Sequence, residues 1–257
     1  MRYSAETASH TARASGKRAR WMISLLVIAL IAPVCAWLLL TQPLLGVRLR
    51  PTGIAVDPHR LETHVRRLSE TLSPRDVSRP AQLDRVAAYI HQEFAACTSA
   101  VTEQPFPAGD GIYRNVIATF GPETGETIVI GAHYDAFGPY PGADDNASGV
   151  AGLIELARLL GKAPPPPLRV QLVAFTLEEP PIYDTQEMGS VIHAASLRNH
   201  GVHVRAMISL EMIGYFTDTD NSQRYPLPLL SLFYPRQGNY IGVVGRLSEI
   251  GLGPVIN

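Results

Sequence analysis

The distribution of apolar residues predicts one long hydrophobic segment near the start of the chain. Residues 21–40 (WMISLLVIALIAPVCAWLLL) contain no charged side chain, and a tail with several arginines precedes them. An α-helix needs about 20 apolar residues to cross a bilayer, and the apolar core of a cleaved signal peptide is shorter. The pattern therefore predicts a transmembrane anchor over residues 21–45. Because basic residues favour the cytoplasmic side, we expect residues 1–20 in the cytoplasm and the remainder outside it.

After a linker over residues 46–57, the apolar positions follow helical and strand periods in turn. Spacings of three and four predict helices near 58–71, 80–94, 148–160 and 188–200. Stretches rich in β-branched and aromatic residues predict strands near 101–106, 113–120, 127–132, 168–176 and 204–210, and residues 241–245 (IGVVG) are also typical of a strand. Strands that alternate with helices predict an α/β domain over 58–257, with a mixed, mostly parallel β-sheet flanked by helices.

Composition and charge exclude several function classes. The net charge of −1 provides no basic field for nucleic acid, so we expect no nucleic-acid partner. The two cysteines, Cys35 and Cys97, form neither a disulfide framework nor a CxxC metal motif. The chain contains no G-x-S-x-G elbow and no G-x-x-x-x-G-K-[ST] loop, which argues against serine-hydrolase and P-loop nucleotide chemistry.

Polar side chains follow three of the predicted strands at the point where each strand ends. His133 comes directly after the strand at 127–132, Glu178 and Glu179 follow the next strand, and Glu211 follows the last one. A loop with the sequence GADDNASG (142–149) connects the first of these strands to its helix. Because the carboxyl ends of parallel strands meet in one crevice, we expect these groups to converge.

A convergence of His133, Asp144, Glu179 and Glu211 predicts a metal site. Carboxylates at short distance repel one another unless a cation neutralises them. A mixed nitrogen and oxygen ligand set suits zinc, with manganese or cobalt also compatible. His133 alone is typical of a core histidine, Asp144 of a turn and Glu178-Glu179 of a solvated pair, whereas Glu211 is unusual for a surface position because the strand before it is apolar. Their combined position at strand ends is what favours metal binding.

Two further carboxylates have predicted catalytic roles. Asp135 could accept the other imidazole N–H of His133 and fix its tautomer. In the pair Glu178-Glu179, one carboxylate could bind metal while the other takes a proton from a metal-activated water that attacks a carbonyl.

Five segments of the chain resemble peptidase family M28, the zinc exopeptidases that include bacterial aminopeptidases. They are HYD (133–135), PGADDNASGVAGLIELARLL (141–160), AFTLEE (174–179), GS (189–190) and ISLEMIGY (208–215). The resemblance, over about residues 60–245, implies a phosphorylase/hydrolase-like fold and hydrolysis of the N-terminal peptide bond of a peptide or protein. It also implies two zinc ions, with His133 and Glu211 on the first, Asp144 bridging, Glu179 on the second, Glu178 as general base and Asp135 orienting His133.

The sequence departs from the family pattern at three places. Many relatives have an aspartate at the position of Glu211, and residues 180–187 lengthen a loop at the rim of the pocket. The family takes a late histidine for its second zinc, but no histidine follows His203 here. His193, His200 and His203 are read as structural. The resemblance therefore implies an incomplete second zinc site and a C-terminally truncated domain.

Two alternatives to a membrane-anchored aminopeptidase remain. One is a catalytically impaired homologue that acts as a binding domain, for which the missing histidine argues. The other is a single-zinc acyltransferase of the glutaminyl-cyclase kind, which shares the fold. The acidic pair Glu178-Glu179 and the GADDNASG loop favour the peptidase.

Overall fold

A computed structural model describes residues 20–35, 55–225, 227–232 and 234–245. The chain divides into two compact units, Arg50–Phe216 and a second unit of Met1–Leu49 with Thr217–Asn257. The described part of the second unit contains helix α1 (20–35) and a short 3-10 turn (Pro228–Leu232).

Two predictions concern the second unit. Residues 241–245, predicted to be strand-like, form no strand. Within the described ranges, no helix has both the length and the apolarity required to cross a membrane. The predicted anchor over 21–45 continues past residue 35 into residues that lie outside the described part.

The unit Arg50–Phe216 alternates strands with helices, as the apolar periods predict. Its helices are α2 (Pro58–Arg66), which continues as a wider turn over Arg67–Thr71, α3 (Pro80–Ala95), α4 (Gly149–Lys162) and α5 (Gly189–Asn199). Its strands are β1 (Val101–Ala108), β2 (Gly111–Phe120), β3 (Thr127–His133), β4 (Arg169–Phe175) and β5 (Val204–Ser209).

The five strands form one mixed sheet in the order β1-β2-β4-β3-β5. β3 pairs in parallel with both β4 and β5, whereas β2 pairs antiparallel with both β1 and β4. β1 and β2 are joined by a two-residue hairpin turn, Gly109-Asp110, in which Gly109 has a positive φ of 50°. The α/β class with a mixed sheet is confirmed. The sheet is evenly mixed rather than mostly parallel, because its first half is built from this hairpin.

Helices cover both faces of the sheet, but the two faces differ in how much apolar surface they bury. The larger cluster contains the apolar face of α3, with Leu83, Val86, Ile90 and Phe94 all buried, together with α4. The smaller cluster, on the opposite face, consists of Ile117, Val129, Val173 and Phe175, with Leu197 of α5 packed against it. The parallel strands are therefore held between two layers, and their carboxyl ends form one edge.

A buried carboxylate attaches the start of α2 to α4. The side chain of Glu155 is only 2% exposed and receives two hydrogen bonds from Arg158, at 2.8 and 2.6 Å. Its Oε1 also accepts from the backbone N–H of Asp57, at 3.1 Å, and its Oε2 lies 3.4 Å from Nε of Arg60. The bonds from Arg158 lower the pKa of Glu155 to about 2, from an ordinary value of 4.5.

We predict that Glu155→Gln destabilises the protein in a pH-dependent way. Because the pKa of Glu155 is lower in the folded state, its contribution is complete above pH 4.5 and is lost as the pH falls toward 2. The shift corresponds to a contribution on the order of 2 to 3 kcal/mol at neutral pH. Urea unfolding of the wild type and the variant should show this difference at pH 7 and almost none near pH 2.

The matched control is Glu123→Gln, which changes an exposed carboxylate in the turn between β2 and β3. This control should change the free energy of unfolding by less than about 0.5 kcal/mol at either pH. Equal stability of wild type and Glu155→Gln at pH 7 would contradict the assigned role.

Candidate metal centre

The parallel strands bring polar residues from three segments to one crevice. His133 is the last residue of β3, and Glu178 and Glu179 follow the end of β4. Glu211 lies two residues beyond β5. Because β3 pairs in parallel with both β4 and β5, these three segments leave the sheet side by side.

The imidazole of His133 faces two carboxylates. Its Nε2 lies 3.1 Å from Oδ1 of Asp145 and 3.4 Å from Oε2 of Glu211. One potential ligand atom from each of the three residues lies within 4.8 Å of the others. The histidine side chain is 7% exposed, whereas the two carboxylates are about half exposed, at 48% and 50%. The cluster therefore consists of a buried imidazole and two carboxylates that are open to solvent.

The position of Asp135 leaves the Nε2 atom of His133 available as a potential ligand atom. Nδ1 lies 3.1 Å from the backbone carbonyl oxygen of Asp135 and 3.5 Å from its Oδ1. That Oδ1 is buried, and no hydrogen bond to it is formed within the described residues. The carbonyl oxygen, as acceptor, and the nearby carboxylate charge both favour a proton on Nδ1. The carboxylate of Asp135, predicted to orient the histidine, is thus in place together with its own carbonyl group.

The electrostatic field of the cluster favours a positive charge. Burial lowers the pKa of His133, but its contacts with Asp135, Asp145 and Glu211 outweigh burial and raise the pKa to about 12. Contact with His133 also lowers the pKa of Asp145. A centre that stabilises a protonated imidazole this strongly has the charge balance expected of a cation site.

Of the two neighbouring aspartates, Asp145 is the one that faces His133. Asp144, predicted as the bridging ligand, instead accepts hydrogen bonds at Oδ1 from the N–H of Gly214, at 2.9 Å, and from Oγ of Ser148, at 3.3 Å. The aspartate that faces His133 is therefore one residue later in the chain than the one predicted as a ligand. The physical reason is the turn over Ala143–Ser148, in which Asp145 and Asn146 leave the helical conformation and successive side chains diverge.

Gly142 starts this turn in the left-handed conformation, with a φ of 57°. A Cβ atom at this position would lie 2.3 Å from the carbonyl oxygen of Asp145. A side chain at this position would therefore displace the backbone of Asp145. In the sequence Asp144 and Asp145 are adjacent and equivalent, so no pattern identifies the one that faces His133.

Asn146, for which the sequence suggested no role in the site, holds Glu211 in position. Its side chain is fully buried and donates from Nδ2 to Oε2 of Glu211, at 2.9 Å, and to the carbonyl of Leu210, at 2.8 Å. Its Oδ1 accepts from the N–H groups of Gly149, at 3.1 Å, and Met212, at 3.3 Å. An asparagine inside an acidic loop is a weak sequence signal for a role in a site. Only its hydrogen-bond partners in the structure show what it does.

Glu178 is anchored at the start of α5. Its Oε1 accepts from the N–H of Ser190, at 2.7 Å, and its Oε2 accepts from Oγ of the same residue, at 2.8 Å. Burial raises the pKa of Glu178, and the bonds from Ser190 offset only part of this effect. The long rim loop over residues 180–187 is closed at its base, because the N–H of Gly189 donates to the carbonyl of Thr176 at 2.9 Å.

Glu179 lies beside the cluster rather than inside the group of three. Burial raises its pKa, and the negative charge of Asp145 raises it further. Its backbone N–H donates to Oδ2 of Asp135, at 3.0 Å. Asp135 therefore connects the residue after β4 with the histidine at the end of β3.

The donor set fits a zinc-like cation. One imidazole nitrogen and two carboxylate oxygens lie close enough to share an ion, and Asp135 holds the remaining imidazole nitrogen. His133 and Glu211, predicted to share a metal, are together in this group, and Asp145 is its third potential ligand.

Comparisons with known proteins relate the chain to a peptidase family and to several relatives. Residues 115–228 match the sequence profile of peptidase family M28. The uncharacterized protein YfbL of Escherichia coli (strain K12) is 48% identical over 201 residues, which cover 75% of this chain and 61% of YfbL. Leucine aminopeptidase 1 of Ajellomyces capsulatus (strain G186AR) is 31% identical over 146 residues, which cover 51% of this chain and 35% of that protein. The chain thus spans less than two thirds of either relative.

Solved structures share the fold. A Zn-dependent exopeptidase from Parabacteroides distasonis superposes with a TM-score of 0.53 at 23% identity, covering 65% of each chain. A glutaminyl cyclase from Porphyromonas gingivalis superposes with a TM-score of 0.52 at 28% identity, covering 62% of this chain and 60% of that one.

The matched segment 115–228 contains every residue of the candidate centre, from His133 to Glu211. The resemblance to peptidase family M28 that the motifs at the strand ends carry is therefore confirmed over this segment.

Proposed function

We propose that this chain carries the metal centre of a membrane-anchored exopeptidase that hydrolyses N-terminal peptide bonds. The observation that carries the proposal is the convergence of His133, Asp145 and Glu211 within 4.8 Å, with Glu178 held in the same crevice. The leucine aminopeptidases among the relatives support a peptide or protein N-terminus as the substrate.

The residues that would hold zinc are His133, Asp145 and Glu211. Glu179, beside Asp145, is the candidate ligand for a second ion. When bound, zinc supplies Lewis-acid polarisation of the scissile carbonyl group and lowers the pKa of the attacking water.

Glu178 has the position and environment of a general base. Its carboxylate is fixed by Ser190, so a proton can be taken up without rotation of the side chain. Burial raises its pKa, and a carboxylate whose pKa is raised accepts a proton more readily near neutral pH. It would take a proton from the attacking water and return it to the leaving amine.

The fold alone does not distinguish a peptidase from a glutaminyl cyclase, because structures of both kinds superpose on this chain. The family match and the aminopeptidase relatives favour the peptidase. A binding domain without activity is the other alternative. The anchored Glu178 and the ordered ligand group argue for a working site.

The membrane location is also a proposal. The described part of α1 is apolar and exposed, with Leu26 at 63% and Leu30 at 65%. An exposed apolar helix behind a basic tail is typical of a segment in contact with lipid. We propose a single-pass protein with its N-terminus in the cytoplasm and its M28 domain on the far side.

We predict that Asp145→Asn and Asp144→Asn have different effects on metal affinity. Asp145→Asn removes a charged ligand and should weaken zinc binding about 100-fold or more, since even the loss of an outer-sphere partner costs about 10- to 100-fold. Asp144→Asn keeps the Oδ1 acceptor for Gly214 and should bind zinc nearly as the wild type does. Competition with a chromophoric chelator measures both. The reverse order would restore the ligand assignment made from the sequence.

We predict that Glu178→Gln abolishes hydrolysis but retains zinc. Loss of a general base should lower kcat on a leucyl anilide about 100-fold or more. The control is Glu187→Gln, in the exposed part of the rim loop, which should leave kcat unchanged. Full turnover by Glu178→Gln would show that another group takes the proton.

We predict that the full chain stays in the membrane fraction after an alkaline carbonate wash. A variant without residues 21–45 should be released into the supernatant, because about 20 apolar residues supply the anchor. Release of the full chain by the wash would rule the anchor out.

A further inference from the structure

Among the described residues, Arg75 is the largest fully buried side chain, and it lies in the chain between α2 and α3. All of its side-chain hydrogen bonds among the described residues go to backbone carbonyl groups. A buried guanidinium is costly to desolvate, so a fold keeps one only where several acceptors surround it. The position of those acceptors shows what the arginine does.

The guanidinium joins the two ends of the connector 134–142, which links β3 to the turn of Asp145. Nε donates to the carbonyl of Tyr134, at 2.8 Å, next to His133. At the other end, Nη1 donates to Pro141, at 2.6 Å, and Nη2 donates to Gly142, at 3.0 Å. One planar group therefore fixes both ends of the segment that separates two candidate ligands.

Further hydrogen bonds hold the guanidinium and the connector 134–142 in place. Nη1 also donates to the carbonyl of Leu68, at 2.9 Å, which attaches the guanidinium to the wider turn after α2. The backbone carbonyl of Arg75 accepts from the N–H of Ala136, at 2.9 Å. The carbonyl of Gly142 accepts from Ala147 as well, at 3.1 Å, so the restraint reaches the far side of Asp145.

The charge of Arg75 acts on the same residues. Burial lowers its pKa to about 10, while the negative charges of Asp135 and Asp145 favour the protonated form. The side chain therefore stays cationic at neutral pH. A fixed cation behind the cluster reduces carboxylate repulsion without occupying the position of a metal ion.

We propose that Arg75 is a positioning residue of the metal centre, which sets the separation of His133 and Asp145 by fixing both ends of the connector 134–142. The inference rests on the metal site proposed above. Lysine cannot replace this function, because a single ammonium group has neither the planar fork nor the reach to bond four carbonyl groups at once.

The test compares the zinc affinity of the full chain with that of Arg75→Lys, by competition with a chromophoric chelator. We expect Arg75→Lys to bind zinc about 10- to 100-fold more weakly, the usual effect of losing a group that orients metal ligands. Arg79→Lys is the matched control, since Arg79 lies on the same segment, is 44% exposed and pairs with Asp76. It should retain wild-type affinity.

A second control separates positioning from general loss of stability. Leu72→Ala removes a buried side chain, 3% exposed, from the same segment and leaves the donors of Arg75 intact. It should lower the temperature of unfolding without weakening zinc binding. Equal zinc affinity of the wild type and Arg75→Lys would overturn the inference, as would a loss in Leu72→Ala as large as in Arg75→Lys.

The remaining outcomes are also decisive. If Arg75→Lys is unfolded in buffer, its affinity and that of the wild type are measured in sucrose, which favours the compact state. A variant that stays unfolded there shows that Arg75 serves the fold as a whole, which overturns the positioning role. Failure of the wild type to bind zinc would overturn the proposed function itself, independently of Arg75.

Discussion

The repulsion among carboxylates at the ends of β3, β4 and β5 is the constraint to which the rest of the structure responds. Two unit charges at about 4 Å repel by about 4 kcal/mol at an effective dielectric constant of about 20. Asp145 and Glu211 both face the imidazole of His133, and Glu178 and Glu179 lie in the same crevice. Such an arrangement persists only if each group is held by directed bonds and the cluster receives positive charge.

Hydrogen bonds from neutral donors hold two of these groups, Glu211 and Glu178, and also the neighbouring Asp144. Asn146 holds Glu211, Ser190 holds Glu178, and the N–H of Gly214 holds Asp144. The bonds of Asn146 and Gly214 join the loop after β3 to the segment after β5, whereas Ser190 ties the start of α5 to the segment after β4. This cross-linking gives the loops of the site the rigidity that metal ligands require.

Buried charges have a similar role at the periphery. Glu155 accepts hydrogen bonds from Arg158 and from the start of α2, and Arg75 donates to four backbone carbonyl groups next to the candidate metal centre. Both side chains bridge irregular segments that regular secondary structure cannot connect. The helices and strands therefore form the scaffold, and these two charged side chains fix the segments that connect its elements.

The sequence by itself determined the α/β class, the order of the elements and the ends of the strands that carry chemistry. Apolar periods are local, and parallel strands place their carboxyl ends at one edge, so His133, Glu178, Glu179 and Glu211 were predictable. Only the tertiary structure decided that Asp145 rather than Asp144 faces the histidine, and that Asn146 and Arg75 hold the site. Those positions depend on the irregular backbone of Ala143–Ser148 and on bonds between residues distant in the chain, which no local period encodes.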